Sequence, residues 1–279
     1  STGNIGVAYS RYLAAAGINL SLFIPETSNK NQEAQISSFG QNVYRVNGDY
    51  AYAKKMGSEY ARRNGLLYTA GNFDPMRLEA KKTMVYEWLR LLPEFPTVFM
   101  QAVSGGSGPL GIAKASKELE GYGLFNSMPR FLLPQPERCA PMAQAWEDAK
   151  ERNFPEGWEK DYPVLENPLT TIETLSTGNP KAYPSLARLV KESKGEFIAS
   201  EEDKAVPVSR LIAYETTHRI GPAAALTVVG FFDALRDGYI KDGDVVMLNI
   251  GEGINRSPLF TDKLTYSTQS ITNLDEILP

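Results

Sequence analysis

The sequence predicts an α/β protein built on mostly parallel sheets, and three observations carry that expectation. Helix-patterned and strand-patterned segments alternate along most of the 279 residues. With 42% of residues apolar, the chain can bury a sizeable core. The apolar runs 96–103 and 245–250 read as buried strands, and each ends in glycines.

Taken in order, a helix near 5–17 (Val7, Ala8, Tyr12, Leu13, Ala15) leads into a strand at 20–24 that Pro25 closes. The polar stretch 26–41 reads as a mobile surface connection. A helix near 50–64 and a strand at 66–69 follow. After Asp74-Pro75 the rhythm changes: 77–90 is one amphipathic helix, and 96–103 is a strand running into Ser104-Gly105-Gly106-Ser107-Gly108, with the next helix starting near Leu110. A strand at 131–133, a helix around 140–152, a loop rich in Pro and charge, and a helix around 185–192 come next. The last third reads as a strand at 196–199, helices at 202–218 and 222–236, and the strand 245–250. A boundary near residue 75 separates part of a small lobe, 1–75, from a large lobe, 76–279, and clefts between lobes are usual ligand sites. Ser1-Thr2-Gly3-Asn4 opens straight into a helix with no strand before it, so an N-terminal part is expected to be missing.

Composition removes several function classes. The 29 basic residues against 33 acidic ones are scattered, which disfavours nucleic acid or an anionic membrane as partner. No apolar run approaches the roughly 18 residues of a membrane span, and no basic-then-apolar leader opens the chain. A soluble, cytoplasmic protein is expected. A single cysteine, Cys139, excludes an intrachain disulfide, and a single histidine, His218, excludes the common zinc sites. No metal is expected. A Ser-His-Asp triad could use only His218, which reads as a helix-end histidine, and no G-x-S-x-G elbow is present.

Ser104 to Gly108 is the sharpest local signal. Glycines there let backbone amides face one point, and the following helix start adds partial positive charge, which suits a phosphate; a plain tight turn is the competing reading. Ser1 to Asn4 has the same logic at another helix start, with a helix cap as the alternative. Arg77 sits in the first turn of a helix, against its dipole, and suggests an anionic partner as readily as a solvated surface. Asn249 ends an otherwise apolar strand ahead of Gly251-Glu252-Gly253, and a buried amide needs a partner from backbone or ligand.

Together, in this order, these segments resemble the threonine synthase group of pyridoxal-phosphate (PLP) enzymes, the two-lobed fold type II of tryptophan synthase β. Ser1-Thr2-Gly3-Asn4 is similar to the group's S-T-G-N loop, residues 72–83 to its N-P-x-R-L-E-G-Q-K-T segment, and Ser104 to Gly108 to its PLP phosphate loop. Gln135 with Ala140-Pro141, Gly178-Asn179-Pro180 and Gly221-Pro222-Ala223 also fit. Within the group, Gln101-Ala102-Val103, Pro141-Met142, Ala145-Trp146 and Leu248-Asn249-Ile250 look closer to cysteate synthase, which joins phosphoserine and sulfite.

The resemblance implies that Asn4 faces the cofactor's ring hydroxyl and that Ser1, Thr2, Gly3 and Asn72 bind substrate. It also implies that Arg77 meets the substrate phosphate, that Ser104, Gly105, Gly106, Ser107 and Gly108 hold the cofactor phosphate, and that Asn249 lies at the ring. The cofactor is then an electron sink: a base removes the α-proton, phosphate leaves and a nucleophile adds. The Schiff-base lysine is expected upstream of Ser1, so no catalytic residue of this kind is in the chain. Departures are Ile5 for a phosphate-binding threonine and Ile250-Gly251-Glu252-Gly253 for T-G-H-G. A carboxylate at Glu252 would repel an incoming anion unless protonated or turned outward. The leading expectation is a cysteate synthase-like enzyme acting on a small phospho amino acid, with a homo-oligomer as its assembly. Threonine synthase and an inactive anion-binding relative are the alternatives. A nicotinamide oxidoreductase lacks its G-x-G-x-x-G.

Overall fold

The computed structural model describes residues 4–279 except 27, 29, 49, 70–73, 125–126, 266–267, 269, 274–275 and 277–279. Its contacts divide the chain into two units, Ser1–Gly71 and Asn72–Pro279.

In the first unit, α1 (Asn4–Ala15) precedes β1 (Ser21–Pro25), α2 (Lys30–Ser38), β2 (Asn42–Val46) and α3 (Tyr50–Arg63). β1 and β2 pair in parallel, Ser21 beside Asn42, so α2 is the crossover of a βαβ unit. This corrects the expectation of an irregular connection over 26–41: α2 buries only Ile36, so its sequence carries little amphipathic signal. The expected strand at 66–69 is also absent. Gly65 closes α3 in the left-handed region at φ 61°, and Leu66 N–H donates to Ala61 O at 2.9 Å, the six-to-one bond of a Schellman cap. The apolar pair Leu66-Leu67 therefore trails a helix end, with Leu67 94% exposed.

The second unit opens with α4 (Pro75–Lys81), whose start Asp74 caps through Met76 N–H, and α5 (Thr83–Leu91). One helix was expected here. The break falls at Lys82, where Thr83 Oγ1 donates back to Ala80 O at 2.8 Å and loosens the regular ladder. Then follow β3 (Val98–Met100), α6 (Ser107–Gly121), β4 (Arg130–Pro136), α7 (Pro141–Glu151), α8 (Tyr183–Glu192), β5 (Glu196–Ser200), α9 (Ala205–Thr216), α10 (Pro222–Arg236), β6 (Val246–Leu248) and α11 (Pro258–Thr265).

These strands form a parallel sheet in the order β5-β4-β3-β6. Strand side chains alternate between faces, and the core follows that alternation. Phe99, Phe131, Leu133 and Phe197 pack with α5 to α8, whereas Val98, Met100, Leu132 and Ile198 pack with Ala234 of α10. Both faces are covered, which is why these strands read as continuous apolar runs. Rings tie the first face together: Trp88 lies 5.6 Å from Phe99, and Phe99 lies 5.7 Å from Phe131.

Candidate active site

The strand order locates the site. From β3 the chain steps outward to β4 and β5, then returns to the other side of β3 as β6, so β3 and β6 flank a topological switch point. In open α/β sheets ligands bind beyond the carboxyl ends of strands at such a point. Ser104–Gly108 follows β3 and Asn249–Gly253 follows β6.

Backbone bonds hold the first loop on both sides. Val103 N–H donates to Pro134 O at 2.9 Å, continuing the ladder past the end of β3, and Ala102 N–H donates to Thr227 Oγ1 at 2.9 Å on α10. Ser104 Oγ hydrogen-bonds Thr177 Oγ1. Gly106 then takes φ 75°, the left-handed region, and a Cβ there would lie 2.5 Å from Leu186 Cδ2. α6 starts after it, at Ser107, earlier than the expected Leu110, and no side chain caps it. The result is a helix start with amides from Gly106 to Gly108 free of side-chain acceptors, the local electrostatics of an anion seat.

The second loop meets the first through an amide pair. Asn249 N–H extends the sheet to Met100 O at 2.9 Å, and Asn249 Nδ2 donates to Gln101 Oε1 at 3.0 Å. Gln101 lies against Gly108, where a Cβ would be 2.4 Å from Gln101 Oε1. Both amides are half-buried. Gln101 Nε2 and Asn249 Oδ1 have no partner among the described residues, so a donor and an acceptor remain for a ligand.

Glu252 is engaged by protein donors. Its Oε2 accepts from Ala223 N–H at 2.6 Å, its Oε1 accepts from Thr174 Oγ1 at 3.1 Å, and its carbonyl accepts from Gly221 N–H at 2.8 Å. The carboxylate thus satisfies the first turn of α10, where negative charge is favoured.

Of the residues singled out in the sequence, the structure brings Ser104, Gly105, Gly106, Ser107, Gly108 and Asn249 to this switch point. Arg77 lies half-buried in α4. Asn4 opens α1, and Ser1, Thr2, Gly3 and Asn72 lie outside the described residues. Sequence reasoning did not single out Thr177 and Thr227, which hold the loop from 73 and 125 positions away. Nothing local marks a threonine for such a role. Among the described residues no group of His, Cys, Asp or Glu could hold a metal, and no helix is long and apolar enough to cross a membrane.

A family model described as pyridoxal-phosphate dependent enzyme matches residues 1–251. Threonine synthase of Mycobacterium tuberculosis is 24% identical over 260 residues, which cover 91% of this chain and 66% of that protein. Cysteate synthase of Methanothrix thermoacetophila is 28% identical over 266 residues, covering 92% of this chain and 61% of that protein. The chain therefore spans 61% to 66% of the length of these relatives. Among solved structures, the processed form of threonine deaminase isoform 2 from Solanum lycopersicum aligns with TM-score 0.73 at 17% identity, covering 95% of this chain and 71% of that one. That likeness is one of fold, the fold type II architecture expected from the sequence.

Proposed function

The chain belongs to the pyridoxal-phosphate dependent enzyme family, and from that premise we propose that it serves a synthase acting on an O-phospho amino acid, with phosphate elimination followed by nucleophile addition. PLP is the cofactor of this family, and the residues present fit its phosphate. The start of α6, with Gly106 at φ 75° and no side-chain cap, leaves helix-start amides for an anion. That observation carries the reading. Bound there, the cofactor supplies an electron sink for the substrate's α-carbon.

The chain's own residues then have distinct tasks. Gly105, Gly106, Ser107 and Gly108 hold the cofactor phosphate, and Thr177 fixes Ser104 at the edge of that loop. Gln101 orients Asn249 beside the ring. By the family resemblance, Asn4 meets the ring hydroxyl, Ser1, Thr2, Gly3 and Asn72 bind the substrate, and Arg77 takes its phosphate. In the group that the chain resembles, the lysine that bonds to the cofactor precedes the S-T-G-N loop. Glu252, committed to α10, does not oppose an incoming anion.

The reaction is cysteate synthase-like, phosphoserine plus sulfite. The Gln101–Asn249 hydrogen bond supports this choice, because both residues lie in the segments that look closest to cysteate synthase. The test gives the full-length protein phosphoserine with sulfite, and separately phosphohomoserine with water, and follows products by mass spectrometry. Cysteate from the first mixture is expected. Threonine from the second, with no cysteate from the first, reverses the assignment to threonine synthase. A second check is Arg77→Ala, which should retain PLP yet raise KM for the phospho substrate by about one to two orders of magnitude. An unchanged KM makes Arg77 a surface residue.

A further inference from the structure

The α4–α5 segment lies over the switch point. A Cβ on Gly111 would be 2.6 Å from Lys81 Cβ, so this glycine lets α4 rest directly on α6, one turn beyond the glycine-rich loop. Just after the break at Lys82, Met84 Sδ lies 4.0 Å from Asn249 Nδ2. Arg77 precedes Lys81 by four positions and shares its face of the helix.

The lysines here divide into two kinds. Lys82 and Lys114 share Glu79, at 2.7 and 3.0 Å, and share Glu118, at 2.6 and 2.9 Å. That closed square of charges locks α4 and α5 onto α6. Lys81 is half-buried and takes part in no ion pair or hydrogen bond among the described residues. Burial, and then the charge of Arg77, hold its ammonium below the usual lysine range. A desolvated ammonium with no ion pair, on the same face as a second cation, is unfavourable until an anion meets it.

We propose that Lys81 is the second cation of the substrate phosphoryl seat, acting with Arg77 to select an O-phospho amino acid over a neutral O-acyl one. The proposal rests on the reading of Arg77 given above. A phosphate monoester carries about −1.5 to −2 at neutral pH, so one guanidinium balances only part of it. An acyl ester carries no charge there and leaves the Lys81 ammonium without a counter-charge.

The test uses the full-length protein saturated with PLP, so that the cofactor's own phosphate seat is filled, and inorganic phosphate as the probe, read by calorimetry. PLP content, and KM and kcat for phosphoserine, are measured beside it. Lys81→Met should weaken phosphate binding by about tenfold or more and raise KM by a similar factor, with PLP content unchanged. Lys81→Arg should restore both. Lys81→Gln serves as a second neutral variant if the methionine protein fails to fold. Phosphate affinity unaltered in the neutral variants overturns the proposal, and so does loss of PLP without loss of phosphate binding, which assigns Lys81 to the cofactor instead. If Arg77→Ala loses phosphate and Lys81→Met does not, the inference fails while the reading of Arg77 stands. If both lose phosphate but neither cysteate nor threonine is formed, Lys81 keeps its role and the assigned reaction falls.

Discussion

At Gly106 two constraints coincide: φ 75°, and Leu186 Cδ2 only 2.5 Å from where a Cβ would stand. A β-branched side chain there meets backbone strain of about 1–3 kcal/mol as well as the leucine. Gly106→Val should therefore lose PLP retention, measured as the cofactor absorbance band of the purified protein; full PLP occupancy would contradict the loop assignment. Lys81 offers a test with a pH signature. Its charged form is penalised in the folded protein below its lowered pKa, and that penalty fades as pH rises toward the unfolded lysine value of about 10.4. Its charged neighbours are Arg77 on α4 and the paired Glu79, Lys82, Lys114 and Glu118. Lys81→Met should thus raise Tm by about 1–3 °C at pH 7, with the gap narrowing toward pH 10. Tm lower than wild type across that range would mean that the ammonium has a stabilising partner.

Among the elements, α10 depends on a residue distant in sequence. Glu252 satisfies Ala223 N–H at 2.6 Å and accepts from Thr174 Oγ1 at 3.1 Å, so it joins the start of α10 to two loops. Glu252→Ala should cost about 1–2 kcal/mol of stability by urea denaturation, with Glu252→Gln recovering part of it. An unchanged midpoint would mean that another group caps α10. The sequence marked Glu252 as a departure from T-G-H-G, but its partners are 29 and 78 positions away and no local pattern names them. Elements with a strong periodic signal were legible: the helix expected at 222–236 is α10, and the strand expected at 196–199 is β5 with one further residue. The misreadings have local causes. α2 buries one residue and so looked like a loop, while Leu66 and Leu67, apolar residues just past a helix cap, looked like a strand.

For the whole molecule, the glycine loop was visible in sequence because its chemistry is contiguous, whereas the switch point beside it was not. The return of β6 to β3 is a pairing of Val98 with Val246, which no local pattern specifies. The sheet holds both loops, and its centre is Phe99, fully buried between Trp88 and Phe131. Phe99→Ala should cost about 3–5 kcal/mol, followed through the fluorescence of the buried Trp88, Trp146 and Trp158 during urea unfolding. The central proposal is that Arg77 and Lys81 supply a cationic seat for a phosphoryl leaving group next to PLP. It is tested most directly by comparing phosphate release from O-phosphoserine with acetate release from O-acetylserine in the PLP-saturated full-length protein. The account predicts that kcat/KM for the phospho substrate exceeds that for the acetyl ester by about two orders of magnitude, the combined effect of two charge-assisted contacts; equal values, or a preference for the acetyl ester, would contradict it.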